Sequence, residues 1–131
     1  MKKIIFLISA SILFGASHGQ TNDKDLQLAL QGKYKEAFVG FSKRCKKKDG
    51  YACGMVGFFY DKGFGVKKDH NKAILFYKKG CELNDKDSCT LLGYYEYKTK
   101  NIKEAKKLLQ KACNLGNKDA CDYLNKIKND S

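Results

Sequence analysis

The chain has 131 residues with 26 Lys+Arg against 14 Asp+Glu, a formal charge of +12, six cysteines, and neither proline nor tryptophan. That length supports one domain with a modest core, and 31% charged residues fit helices with solvated faces rather than a sandwich of short strands. Arg44 is the sole arginine, which argues against a nucleic-acid partner, because base reading and phosphate clamping lean on arginine's planar fork.

The chain opens Met1-Lys2-Lys3, runs apolar from Ile4 to Phe14, and continues Gly15-Ala16-Ser17. A charged start, a short apolar middle and small residues after it are the three parts of a secretory signal peptide. The run is too short to cross a bilayer of about 30 Å as a stable helix. Residues 1–19 are therefore expected to be a signal, with cleavage after Ser17 or Gly19, and 20–131 a single repeat domain that is periplasmic or secreted. Losing Lys2 and Lys3 lowers the charge to +10, still strongly basic. No cysteine stands just after the apolar run, which argues against a lipid anchor at that point, and no other stretch approaches membrane length.

Beyond an abrupt start at 26–32, an internal repeat governs the rest. Cys45/Cys53, Cys81/Cys89 and Cys113/Cys121 form three pairs with the same seven-residue gap, displaced by 36 and then 32 residues. Ahead of the first cysteine of each pair stand Ala37-Phe41-Cys45, Ala73-Tyr77-Cys81 and Ala105-Leu109-Cys113, always four apart and so on one helical face. The helix that follows each turn carries Ala52, Cys53, Val56 and Gly57, then Ser88, Cys89, Leu92 and Gly93, then Ala120, Cys121, Leu124 and Asn125, and is the first of the next helical pair. The polar stretches 47–50, 84–87 and 114–119 reverse the chain between them. Six cysteines allow 15 pairings, of which the local set Cys45–Cys53, Cys81–Cys89 and Cys113–Cys121 is the simplest. A tight helical hairpin brings such Cα atoms within disulfide range.

Metal binding is the competing reading of the cysteines. Zinc sites place cysteines two to four residues apart or add spaced histidines, and here only His18 and His70 occur. No metal or cofactor is expected, and the absence of Cys-x-x-Cys argues against a redox enzyme.

The stretch from Ala52 through Val56-Gly57-Phe58-Phe59-Tyr60-Asp61-Lys62-Gly63-Phe64-Gly65-Val66 to Asp69 and Ala73, continuing to Cys81, resembles a Sel1-like repeat, a relative of the tetratricopeptide repeat. With its signal and its Cys-x7-Cys pairs the chain is similar to the cysteine-rich secreted proteins of Helicobacter and Campylobacter. The resemblance covers about residues 25–127. In the next unit Glu96 stands in place of Tyr60, and Thr99-Lys100-Asn101 replaces the loop from Gly63 to Asp69. It implies an all-α fold, an α-α superhelix of helical hairpins stapled by disulfides within the repeat. Gly57 and Gly93 would let helices approach closely, Gly63 and Gly65 would supply loop conformations, and the first helix of each pair would line a curved inner surface.

The same resemblance implies an extracytoplasmic protein that engages a protein, peptide or cell-wall fragment, as a monomer. Some similar proteins are described as slow β-lactamases, so a weak hydrolase acting on β-lactams or related cell-wall amides is the alternative. The residues give that alternative little support. No Ser-x-x-Lys occurs, no histidine cluster suits a zinc lactamase, and Asp85 and Asp87 read as solvated turn residues. No catalytic residue can be nominated. Phe58, Tyr94, Tyr95 and Tyr123 are candidate binding residues for the inner surface, because aromatic rings combine contact area with, in tyrosine, a polar tip. Lys46 and Lys47, in the basic run 43–48, are candidates for docking an anionic partner, although cations also complement a helix C-terminus.

Overall fold

The computed structural model describes residues 22–130, so the expected signal peptide lies outside the described residues. Seven helices follow one another: α1 (Lys24–Leu30), α2 (Tyr34–Lys46), α3 (Gly50–Lys62), α4 (His70–Glu82), α5 (Lys86–Lys98), α6 (Ile102–Asn114) and α7 (Lys118–Asp130). No strand occurs among the described residues. They make three hairpins, α1–α2, α3–α4 and α5–α6, with α7 closing the stack.

Helix boundaries follow from side chains that satisfy the orphan N–H groups of the first turn. Asp49, Asp69 and Asp85 accept from the backbone N–H groups of Ala52, Lys72 and Ser88 at 3.1, 3.0 and 3.0 Å. Asn117 does the same for Ala120 at 2.9 Å. The turns between hairpins each need one left-handed residue, and it falls at equivalent places: Lys48 (φ 67°), Asn84 (φ 66°) and Gly116 (φ 105°).

The apolar stripes meet as the repeat requires. Ala37, Phe41, Cys45, Ala52, Cys53, Val56 and Phe59 form one buried cluster. Ala73, Tyr77, Cys81, Cys89, Leu92, Leu109 and their neighbours form another, and Tyr60 packs against both. Within hairpins the contact is close. A Cβ on Gly57 would lie 2.8 Å from the Tyr77 ring, and one on Gly93 the same distance from Leu109 Cγ. The loop 63–69 folds back on the first hairpin, where Phe64 stacks on Tyr34 at 4.4 Å. Gly65 (φ 72°) passes so near the Tyr34–Lys35 backbone that a Cβ would come within 2.7 Å. In the third hairpin Asn101 closes a short turn instead, donating to the Glu96 side chain at 2.8 Å.

Disulfides staple the tight turns between α2 and α3, α4 and α5, and α6 and α7, in the local pairing expected. Cys45–Cys53, Cys81–Cys89 and Cys113–Cys121 are bonded, with Cα separations of 4.6, 4.5 and 4.7 Å. Each links the last turn of one helix to the first turn of the next. Arg44 adds a further tie, donating to Asp23, Asp25 and Asp49 at 2.8, 3.2 and 3.0 Å and so fastening short α1 to α2 and α3. Burial opposes that charge, but the three carboxylates outweigh it and hold the guanidinium's pKa above its usual value.

The stack has an inner and an outer side. The first helices α3 and α5 touch, whereas α2, α4 and α6 pack mainly on first helices and splay from one another. Open clefts lie between α2 and α4 and between α4 and α6. The first helices therefore form the inner face.

Candidate functional site

The inner face is set by the residues that the buried stripe leaves over. On α3 the buried positions are Ala52, Cys53, Val56, Gly57 and Phe59, which leaves Tyr51, Gly54, Met55 and Phe58 half-buried at the core's edge. On α5 burial of Ser88, Cys89, Thr90, Leu92 and Gly93 leaves Asp87 and Leu91 exposed and Tyr94 half-buried at the core's edge. These two sets enclose a groove of about 160 Å³ lined by Tyr51, Met55, Phe58, Asp85, Ser88 and Leu91 among others. Leu91 is 38% exposed, an apolar side chain offered to solvent in the groove's lining.

Phe58 is half-buried, edge-on to Phe64 at 5.9 Å, with the Lys62 ammonium 5.8 Å from its ring. Tyr94, three residues beyond Leu91 and on the same helical face, meets Tyr123 of α7 at 4.6 Å, and Tyr97 meets Tyr123 at 5.5 Å. Phe58, Leu91, Tyr94 and Tyr123 thus form one strip across three first helices. Tyr95 points elsewhere and lies 5.4 Å from the His70 ring. There His70 Nδ1 is 3.1 Å from Asp61, which also accepts from the Tyr77 hydroxyl at 3.3 Å.

The strip carries carboxylates at one end, where α3 and α5 begin. Asp85 is not a solvated turn residue. It is half-buried, accepts from Ser88 Oγ at 2.6 Å as well as from its N–H, and burial raises its pKa despite those bonds. Asp87 is exposed on the first turn of α5 and accepts from Asn117 at 2.8 Å. Burial also raises the Tyr94 pKa, with Asp119 adding to it.

Lys46 and Lys47 lie outside this groove, exposed at the end of α2. Lys46 lines the cleft of about 330 Å³ between α2 and α4, together with Lys48, Lys79 and the Cys45–Cys53 bridge. Lys47 is the C-cap residue of α2. Among the described residues no group of three or more His, Cys, Asp or Glu is placed to hold a metal ion. Tyr51, Met55 and Leu91 were not singled out from the sequence, although Met55 and Leu91 share one repeat position, each two residues after a cysteine and 36 residues apart. The same register gives Tyr95 the repeat position of buried Phe59 and Ile127, although Tyr95 itself is only half-buried.

Comparison with known proteins agrees with this architecture. A solved structure of cysteine-rich protein B of Helicobacter pylori (HcpB) superposes with a TM-score of 0.63 and 38% identity, covering 80% of this chain and 98% of that one. A Sel1 repeat protein from Oxalobacter formigenes gives a TM-score of 0.70 and 29% identity over 76% of this chain and 43% of that one. The Helicobacter pylori protein named beta-lactamase HcpA is 44% identical over 43 residues, 33% of this chain, and the match spans only 17% of HcpA's length. The family model described as Sel1 repeat matches residues 50–85 and 86–117, so that Cys81–Cys89 joins one matched unit to the next. With more than half of its length in those two units, the chain belongs to the Sel1 repeat family.

Proposed function

We propose that this protein is an exported interaction module whose inner face binds an extended peptide or a cell-wall glycopeptide. One observation carries the reading: the continuous strip of Met55, Phe58, Leu91, Tyr94 and Tyr123 on successive first helices. Rings with one apolar face and, in tyrosine, one polar tip suit a ligand with alternating apolar and hydrogen-bonding groups. The carboxylates of Asp85 and Asp87 at one end favour a ligand carrying an amino group there. Three buried or half-buried disulfides support an extracytoplasmic location, since such bonds persist in oxidising compartments.

The test is capture from envelope extract by the oxidised protein, with bound peptides and glycopeptides read by mass spectrometry. Phe58→Ser and Tyr94→Ala should each weaken capture about tenfold or more, in line with the loss of a central aromatic anchor. Tyr95→Ala, off the strip, should weaken it less. Unaltered capture by Phe58→Ser and Tyr94→Ala in a folded protein refutes the groove.

The name of HcpA favours a second reading, a weak β-lactam hydrolase. The one hydroxyl in the groove bonded to a carboxylate is Ser88, which is 1% exposed and engaged in capping α5 with Asp85. Nitrocefin turnover by oxidised protein that vanishes in Ser88→Ala while folding is kept supports the hydrolase. No turnover in either supports the interaction module.

A further inference from the structure

Charge is not spread evenly over this solenoid. The first helices α3, α5 and α7 each balance to zero: Asp61 against Lys62 on α3, two acids against two lysines on α5, three against three on α7. The second helices do not. On α2 four cations stand against Glu36, on α4 three lysines against Glu82, and on α6 four lysines against Glu104, giving formal charges of +3, +2 and +3. These three helices form the outer side of the stack. Dipole complementarity explains cations in last turns, but Lys35, Lys72, Lys103, Lys106 and Lys107 lie in first or middle turns. Among the described residues none of these lysines is in an ion pair with a carboxylate.

Two further features share that face. Val39 is 52% exposed and Leu75 58% exposed, and they occupy the same repeat position, 36 residues apart. Val39 stands in a stripe with Lys35, Lys43 and Lys46, and Leu75 stands with Lys72 and Lys79, spacings that share one side of a helix. Between the helices, Lys46, Lys48 and Lys79 line the cleft of about 330 Å³ against the one acid Glu82, and Lys78, Lys107 and Lys111 line one of about 380 Å³ against Glu82 and Glu104.

From this arrangement we infer that the outer face docks on an anionic lipid surface, peripherally, while the inner groove remains free for its own ligand. Net positive charge supplies long-range attraction to acidic headgroups. Lysine suits this purpose, because a lipid surface asks for point charges on flexible stems rather than for the fixed fork of arginine. Val39 and Leu75 decide between a lipid surface and a soluble anionic polymer: apolar side chains amid lysines gain from the acyl boundary and gain nothing from a polyanion. Among the described residues no helix is long and apolar enough to cross a membrane, so the contact is with the surface.

The test uses oxidised protein recovered after export and checked by mass to lack the apolar run 4–14. Its partition onto sedimenting vesicles is measured on pure phosphatidylcholine and on phosphatidylcholine with 40% phosphatidylglycerol, where about forty per cent only sets an anionic surface. Binding should require the anionic lipid. Lys43→Gln with Lys79→Gln should weaken it about 25-fold, at about fivefold per lysine, and Val39→Ser with Leu75→Ser about tenfold. Lys86→Gln with Lys118→Gln removes the same charge from first helices and should change it less than about threefold. Phe58→Ser should leave vesicle binding intact, which separates this inference from the groove. Equal binding to neutral vesicles, equal loss from either lysine pair, or no loss in the serine pair together with tight binding to inorganic polyphosphate would overturn it.

Discussion

Removing the disulfides one at a time separates two contributions that are usually confounded. All three bridges close loops of the same sequence separation, eight residues, so the chain-entropy contribution is the same for each, about 2.5 kcal/mol. Packing differs. Cys81 and Cys89 are 4% and 0% exposed, while Cys113 and Cys121 are only half-buried against the final helix. Replacing both members by alanine removes two sulfur atoms, worth about 1 kcal/mol each when fully buried. The double variant Cys81→Ala with Cys89→Ala should therefore lose about 4 kcal/mol, and Cys113→Ala with Cys121→Ala about 3 kcal/mol or less, because α7 has neighbours on one side only. Urea titrations followed by far-ultraviolet circular dichroism measure both. In a thermal melt the gap of about 1 kcal/mol corresponds to about 4 °C in midpoint. Equal losses would mean that loop closure alone sets the contribution of these bonds, and a larger loss at the terminal pair would contradict the burial argument.

Three other outcomes follow from local geometry. Lys48→Gly relieves a left-handed residue (φ 67°) and should stabilise the fold by about 0.5–1 kcal/mol in the same titration, with Asn84→Gly gaining less. Asp85 binds its proton more tightly in the folded state because burial raises its pKa. Its contribution to stability is thus greatest when protonated and falls as pH climbs from the ordinary carboxylate value through the raised one. Asp85→Asn, which keeps the cap, should flatten that part of the stability–pH curve. Arg44→Met should cost about 1–2 kcal/mol, a modest sum because the guanidinium is about one-third exposed, and hydrogen exchange should quicken in α1 while α5 to α7 keep their protection.

The fold was legible because a repeat states its rule several times over. Cysteines spaced by eight, stripes such as Ala73-Tyr77-Cys81, and Asp49, Asp85 and Asn117 ahead of each first helix all point to the same hairpins. Local signals of this sort need no knowledge of curvature. The groove does. Which side of α3 faces inward depends on how α3 and α5 approach, so Phe58 and Tyr94 could be named for their chemistry while Met55 and Leu91, bland in sequence, could not. Tyr94 and Tyr95 look alike as neighbours, yet only Tyr95 falls in register with Phe59 and Ile127. Lys46 and Lys47 stood out as a run, but the charge asymmetry emerges only when lysines are grouped by helix. Asp85 read as a loop residue because nothing local announces that Ser88 and the neighbouring hairpin bury it.

The central claim is that the first-helix strip is where the ligand sits. A photoactivatable benzoyl-phenylalanine at Leu91, 38% exposed in the groove, measures this directly in expressing cells, with the same group at Leu75 on the outer face as the comparison. Irradiation should yield a covalent peptide or glycopeptide adduct at position 91 that is diminished by Tyr94→Ala, and none of that adduct at position 75. The same adduct at 75 but not at 91 would contradict the account.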